Sequence, residues 1–272
     1  MHPSLIKIAC VCVTQAKRAP VFGISAASFA SQDYPRKLLI MSLPDADGLV
    51  GHVESLQRVW LDSEDHYSEQ TIFVAGDDGV ETVPGRLDHC CQLAWDLDCH
   101  LVTIWDDDDI KPHNWLDMLL HSVPREAVQS IGSHACVAGV TQGWFVNLRT
   151  LNGVFIQLPH FWGGSLTFNK QAWESAGGFH GRPMPGYDRS FVEALCESGQ
   201  LVSRTMLDIA RDAAGHVAFV HGDNVATKLH APGEMLHARI HDWYGSRVWN
   251  EIARTQEWMV KRRIFPAFTG GN

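Results

Sequence analysis

Apolar residues fall in short blocks through the first hundred positions, and turn-forming polar residues separate them. Ile6 to Val13 is a run of small and β-branched apolar residues, the pattern of a strand buried on both faces. Val21 to Ser31 reads as a helix. It closes at Gln32-Asp33-Tyr34-Pro35, where Pro35 disfavours helix at the residue before it. Lys37 to Leu43 is a second buried strand, ending at the turn-rich Pro44-Asp45-Ala46-Asp47-Gly48. Leu49 to Leu61 has helical character, and Thr71 to Ala75 is a third strand closed by Gly76-Asp77-Asp78-Gly79. Arg86 to Leu97 places Leu87, Cys90, Cys91 and Ala94 on one helical face. His100 to Trp105 is a fourth strand. Strands alternating with helices predict an α/β fold with a mostly parallel, doubly wound central sheet flanked by helices.

The second half has a different rhythm. Cys136 to Leu148 and Val154 to Leu158 read as strands joined by a polar turn at Arg149 to Gly153. After Trp162-Gly163-Gly164 come a short strand, Ser165 to Phe168, and a short helix, Lys170 to Ser175, stopped by Gly177-Gly178. Asp188 to Ser198 is a further helix, and Leu236 to Arg263 is a long, mostly helical stretch carrying Trp243, Trp249 and Trp258. With no repeat or linker between them, the parts are expected to form one domain over 1–272. It divides into a first half at 1–125, a second half at 126–235 and a helical extension at 236–272.

Composition narrows the class. Of 272 residues, 45% are hydrophobic and 19% charged, which excludes a disordered chain. The formal charge of −9 argues against a generic polyanion binder. No apolar run reaches the length of a membrane span. The seven cysteines form no CxxC pair and are expected to be reduced thiols of a cytoplasmic protein. Lys261-Arg262-Arg263 with Ile264-Phe265 offers a contact to a membrane surface, although helix-end cations serve the helix dipole as well.

The densest chemistry is Asp106-Asp107-Asp108-Asp109, which follows the fourth strand directly. Four like charges repel, so each needs solvation or a partner. Ligands of open α/β sheets bind beyond the carboxyl ends of the strands. Carboxylates there suit a hard divalent cation that shares its coordination with a diphosphate. The plainer role is a solvated loop capping the helix near Pro112.

The stretch Leu101 to Leu116, LVTIWDDDDIKPHNWL, resembles the DxD region of family 2 glycosyltransferases of the GT-A fold. SFASQDYPRKLLIMS is similar to that family's second-strand approach, and FWGGSLTFNKQAWESAGGF to its acceptor-side segment. The resemblance implies a metal-dependent, inverting transfer of sugar from a nucleoside-diphosphate sugar, UDP-sugars first, to an acceptor hydroxyl. It assigns Thr14, Gln15, Arg18, Arg86, Asp106 and Asp107 to the donor, and Asp106, Asp108 and His221 to Mn²⁺ or Mg²⁺. It places Trp162, Gly163, Gly164 and Tyr187 on the acceptor side, with Asp188 as general base. Trp144 and Trp162 also offer aromatic faces for a sugar. Two departures stand out: Tyr187-Asp188 replaces Glu-Asp, and Ser42-Leu43 replaces the acids expected after the second strand. Asp188 is equally placed to cap its helix. The acceptor is open among a saccharide, a lipid-linked sugar, a protein and a modified nucleic-acid base. Two other functions remain: a nucleotidyltransferase of similar fold, although Thr14 to Pro20 lacks a glycine-rich loop, and a degenerate sugar- or partner-binding protein.

Overall fold

The computed structural model describes residues 6–43, 51–55, 57, 71–75, 82–124, 134–183, 185–207, 214–220 and 234–261. Strands β1 (Ile8–Val13), β2 (Lys37–Leu43), β3 (Thr71–Ala75) and β4 (Leu101–Ile104) lie side by side and parallel, in the order β4-β1-β2-β3. Alternate residues of β1 go to opposite faces. Ile8, Cys10 and Cys12 join the core under helix α1 (Ala19–Ala30), while Ala9 and Val11 join the core under α2 (Val83–Asp96). With both faces covered, these strands need apolar residues throughout, which is why the sequence shows continuous runs.

After β4 the chain makes the acidic turn and enters β5 (Asp109–Ile110), which belongs to a second sheet. Helix α3 (Trp115–Ser122) follows. Strand β6 (Ala135–Val140) returns to the first sheet, while β7 (Gln142–Asn147) and β8 (Asn152–Gln157) form an antiparallel hairpin in the second. The single long strand expected from Cys136 to Leu148 is therefore two strands broken at Thr141. The break moves the chain between sheets, and the Thr141 carbonyl accepts from the Leu158 N–H at 2.6 Å.

A turn at Gly163–Ser165 leads into β9 (Thr167–Phe168), which inserts antiparallel between β4 and β6. Helices α4 (Lys170–Ala176) and α5 (Tyr187–Glu197) cover the face shared with α2. Strand β10 (Leu201–Leu207) adds parallel to β6 at the sheet edge. In the second sheet, β11 (Val217–Val220) lies between β5 and β7, and β12 (Glu234–Met235) borders β8. Hydrophobic patterning does not reveal β5 or β10 to β12. They are short, or carry polar residues such as Arg204 at a sheet edge.

Helix α6 (His237–Lys261) is broken at Gly245, whose φ of 76° suits glycine. It joins the two halves. Thr255 Oγ1 donates to the Pro20 carbonyl at 2.9 Å, and Gln256 Nε2 donates to the Leu148 carbonyl at 2.6 Å. Among the described residues no helix is long and apolar enough to cross a membrane. The cationic cluster beyond Lys261, the turn at 44–48 and most of the helix expected over 49–61 lie outside the described residues.

Candidate active site

Helix α1 and the turn that follows it fix the acidic turn from below. The helix is apolar on nearly every side, yet Ser25, Ser28 and Gln32 follow one another at spacings of three and four. Ser25 Oγ donates to the Asp106 carbonyl at 2.7 Å, and Ser28 Oγ accepts from the Lys111 N–H at 2.8 Å. Gln32 donates to the Pro112 carbonyl at 2.8 Å and accepts from the Leu116 N–H at 3.2 Å. The turn's buried backbone groups thus find partners in one polar stripe, as burial demands. Sequence reasoning missed this role, although polar residues at helical spacing in an apolar helix were the signal for it.

The four aspartates have different surroundings. Asp107 is 2% exposed. It accepts from Thr14 Oγ1 at 2.6 Å and pairs with Arg18 Nη2 at 2.9 Å. Asp108 pairs with the same Nη2 at 2.5 Å. Asp109 sits 2.5 Å from Nε2 of the buried His216. The Asp106 carboxylate has no hydrogen bond or ion pair among the described residues. Burial, then Asp109 and Asp108, push Asp106 up to about 8. Burial likewise lifts Asp107 and Asp109 to about 7, against the pull of Arg18 and Lys111 respectively. Burial works against the charge of Arg18, but Asp107, Asp108 and Asp106 outweigh it and hold the guanidinium above its ordinary value. Lys111 is buried under the turn with Nζ 4.1 Å from the centre of the Trp105 ring, and burial pushes its pKa down.

The Gly-Gly turn reaches the acids because β9 is inserted beside β4. Ile104 N–H donates to the Leu166 carbonyl at 2.8 Å, and Thr167 Oγ1 donates to Thr103 Oγ1 at 2.9 Å. A Cβ on Gly164 would overlap Oδ2 of Asp109 and lie 2.6 Å from Oδ2 of Asp106. A Cβ on Gly163 would lie 3.0 Å from Oδ2 of Asp188. Two adjacent glycines therefore separate the Asp188 carboxylate from the acidic turn. Only residues without a side chain allow so close an approach.

Asp188 lies in the first turn of α5, where the backbone N–H groups of Arg189 and Asp188 favour its charge. Burial outweighs them and raises its pKa. The cap position itself is Gly186, so Asp188 does not serve as the N-cap. It lines a cavity of about 440 Å³ with His160, Phe161, Val192, Glu193 and Arg204 among others. Tyr187 packs its ring edge-on against Phe179 at 5.8 Å, and burial, then Asp106, raise its phenol well above the ordinary range.

Thr14 is buried at the end of β1 with Oγ1 3.1 Å from His52 Nε2, and Gln15 is exposed. His52 is fully buried against Phe22, and nothing in the sequence pattern singled it out. Arg86 donates to Ser42 Oγ at 3.3 Å and to the Leu43 carbonyl at 3.2 Å, at the end of β2. Among the described residues it makes no ion pair with the acidic turn. Trp162 is not the open aromatic platform expected from the sequence. Its ring stacks on Phe145 at 4.6 Å and on His216 at 4.8 Å, and the residue is 6% exposed, so its stacking surface is used inside the protein. Trp144 is likewise packed against Phe155 and Trp243. His221 lies outside the described residues.

Among the described residues no three His, Cys, Asp or Glu side chains converge as a ready-made cage for a metal ion. Mg²⁺-type ions often need none, binding through one or two carboxylates, water and substrate phosphates. Asp106, with its raised pKa and like-charged neighbours, is the carboxylate whose ionised form a cation would favour most. The oxygen donors fit such an ion.

No family model matches the chain, and no curated protein matches it. Solved structures do. S. aureus TarS 1-349 in complex with UDP superposes with a TM-score of 0.51 at 13% identity, over 97% of this chain and 74% of that one. TarS 1-349 alone gives a TM-score of 0.50 at 12% identity, over 79% of this chain and 60% of that one. This chain therefore spans less than two thirds of the TarS chain in that superposition. The glycosyltransferase GlyE of Streptococcus pneumoniae TIGR4 gives a TM-score of 0.46 at 11% identity, over 97% of this chain and 66% of that one. The TarS superpositions show the fold: a mixed α/β architecture with a central, mostly parallel sheet flanked by helices, as the resemblance to GT-A enzymes implied.

Proposed function

We propose that the chain is a glycosyltransferase that moves a sugar from a nucleoside-diphosphate sugar to an acceptor hydroxyl, with inversion and with a divalent cation. One observation carries this reading. The Gly163-Gly164 turn has the Asp188 carboxylate on one side and Asp106 and Asp109 on the other. In-line displacement at an anomeric carbon needs that division, with the leaving diphosphate on one face of the sugar and a base on the opposite face.

In this reading Thr14, Gln15 and Arg18 after β1, and Arg86 of α2, whose side chain reaches the end of β2, border the nucleotide at the carboxyl edge of the sheet. The fold shared with UDP-bound TarS makes uridine donors the first to test. Asp106 and Asp108 would hold Mn²⁺ or Mg²⁺ next to the diphosphate; His221 is the further candidate. The ion supplies positive charge to the leaving group when bound. The chain's own residues do the rest. Arg18 adds a guanidinium for phosphate oxygens. Asp188 takes the proton of the acceptor hydroxyl, and its raised pKa brings it nearer the working range of a general base.

The test is a thermal-shift and calorimetry screen of UDP-, GDP-, dTDP- and CMP-sugars with and without Mn²⁺. Stabilisation by one nucleotide class that requires Mn²⁺ and is lost in Asp108→Ala is the expected result. A folded, metal-supplied protein that binds none of them would overturn the reading.

A further inference from the structure

A single nitrogen of Arg18 bridges two consecutive carboxylates. Nη2 lies 2.9 Å from Oδ1 of Asp107 and 2.5 Å from Oδ2 of Asp108. The two acids are not equivalent. Asp107 is fixed on its other oxygen by Thr14 Oγ1 at 2.6 Å, and that hydroxyl sits 3.1 Å from the buried His52 ring. The Asp107 side chain is 3% exposed and that of Asp108 12%. Asp107 is an anchor in the interior; Asp108 is at the rim.

We infer that Arg18 is an internal counter-ion, which occupies Asp108 in the nucleotide-free protein and releases it when a diphosphate arrives. A guanidinium pairs with phosphate oxygens through the same fork that it offers a carboxylate. An incoming diphosphate draws Arg18 away from Asp108, while Asp107 keeps the side chain tethered beside the site. Asp108 then meets the cation in place of the guanidinium. Charge stays balanced through the exchange, because the cation replaces the guanidinium on Asp108 as the guanidinium meets the negative phosphates. Cation and diphosphate therefore favour each other's binding, and the cation alone binds weakly.

This inference rests on the proposed donor site but makes a prediction of its own sign. Removing an arginine that only binds phosphate leaves cation affinity unchanged in the empty protein. Removing an internal counter-ion raises it.

The experiment is a Mn²⁺ titration of the full chain followed by electron paramagnetic resonance, with and without UDP, on wild type, Arg18→Gln and Asp108→Asn. Without UDP, Arg18→Gln should bind Mn²⁺ about tenfold more tightly than wild type, since one nearby positive charge is gone. Asp108→Asn added to Arg18→Gln should remove that gain. UDP should tighten Mn²⁺ binding to wild type by about tenfold, and much less in Arg18→Gln. A folded Arg18→Gln protein with equal or weaker Mn²⁺ affinity overturns the inference. Should Arg18→Gln fail to fold, Asp108→Asn decides, because it keeps the arginine and removes one carboxylate that pairs with it. Tighter binding of UDP without Mn²⁺ than in wild type supports the inference, because the arginine has lost the carboxylate that held it, and unchanged or weaker metal-free UDP binding overturns it. A gain in Arg18→Gln with no UDP effect in any protein overturns the release by diphosphate, and the donor reading with it. Absence of Mn²⁺ binding throughout overturns both.

Discussion

Nε2 of His216 lies 2.5 Å from Oδ2 of Asp109, and both side chains are buried. Burial pushes the histidine well below its ordinary pKa, which favours the neutral ring, and the ring and the Asp109 carboxyl share one hydrogen bond. His216 also stacks on Trp162 and precedes β11, which pairs with β5. One ring thus connects the acidic turn to the residue that opens the Gly-Gly turn. His216→Phe keeps an aromatic face for Trp162 and leaves Asp109 without its hydrogen-bond partner. It should lower unfolding free energy by about 2 kcal/mol, the cost of a buried polar group left unpaired. Urea denaturation reads this, and an unchanged midpoint would show that the pair contributes nothing.

Gly164→Ala should be more damaging than Gly163→Ala. The added methyl at Gly164 overlaps an Asp109 oxygen, whereas at Gly163 it meets Asp188 at a tight 3.0 Å. An overpacked site of this kind costs about 1–3 kcal/mol. Gly164→Ala should also weaken any Mn²⁺-dependent nucleotide binding, because it displaces Asp106. Thermal melts and calorimetry on the two variants, compared side by side, give the order; the reverse order would place the crowding elsewhere.

Asp188→Asn should reduce sugar transfer by about 10²–10⁴-fold and leave nucleotide binding nearly unchanged, the range expected for a lost general base. The pH profile follows from the raised pKa of Asp188. A base works ionised, so transfer should fall as pH drops through that raised pKa, at higher pH than an ordinary aspartate would give. An Asp188→Asn enzyme with normal turnover would remove the base assignment.

The acidic turn makes cation stabilisation depend on pH. Asp106 stands near 8, and Asp107 and Asp109 near 7, all raised chiefly by burial. The unfolded value is about 3.9. Folding therefore binds protons here: the contribution to stability is full below the unfolded pKa and is lost as pH rises through 7 to 8. A divalent cation prefers the ionised acids and restores what is lost. The gain in melting temperature from Mn²⁺ should grow between about pH 6 and pH 8. A gain that is flat or shrinks over that range would exclude these carboxylates as the binding site.

The amino-acid order alone dictated the four parallel strands that begin the first sheet. Strands β1 to β4 belong to a sheet covered by helices on two faces, so each had to be an unbroken apolar run, and such runs are visible without coordinates. It also showed where the charge gathers, since four aspartates directly after a buried strand have to be met by solvent, partners or a cation. A family resemblance marked Gly163-Gly164 and Asp188. The folded arrangement set how the labour is divided. The acids take their neighbours from distant segments: Arg18 and Thr14 from the first loop, His216 from the approach to β11, and Gly164 from the turn before β9. The same holds for Trp162, whose aromatic face is consumed by Phe145 and His216, residues far from it in the chain. Periodicity reports how much of a segment is buried; it carries no record of which segment does the burying, and that pairing is what makes a carboxylate an anchor, a cation ligand or a base.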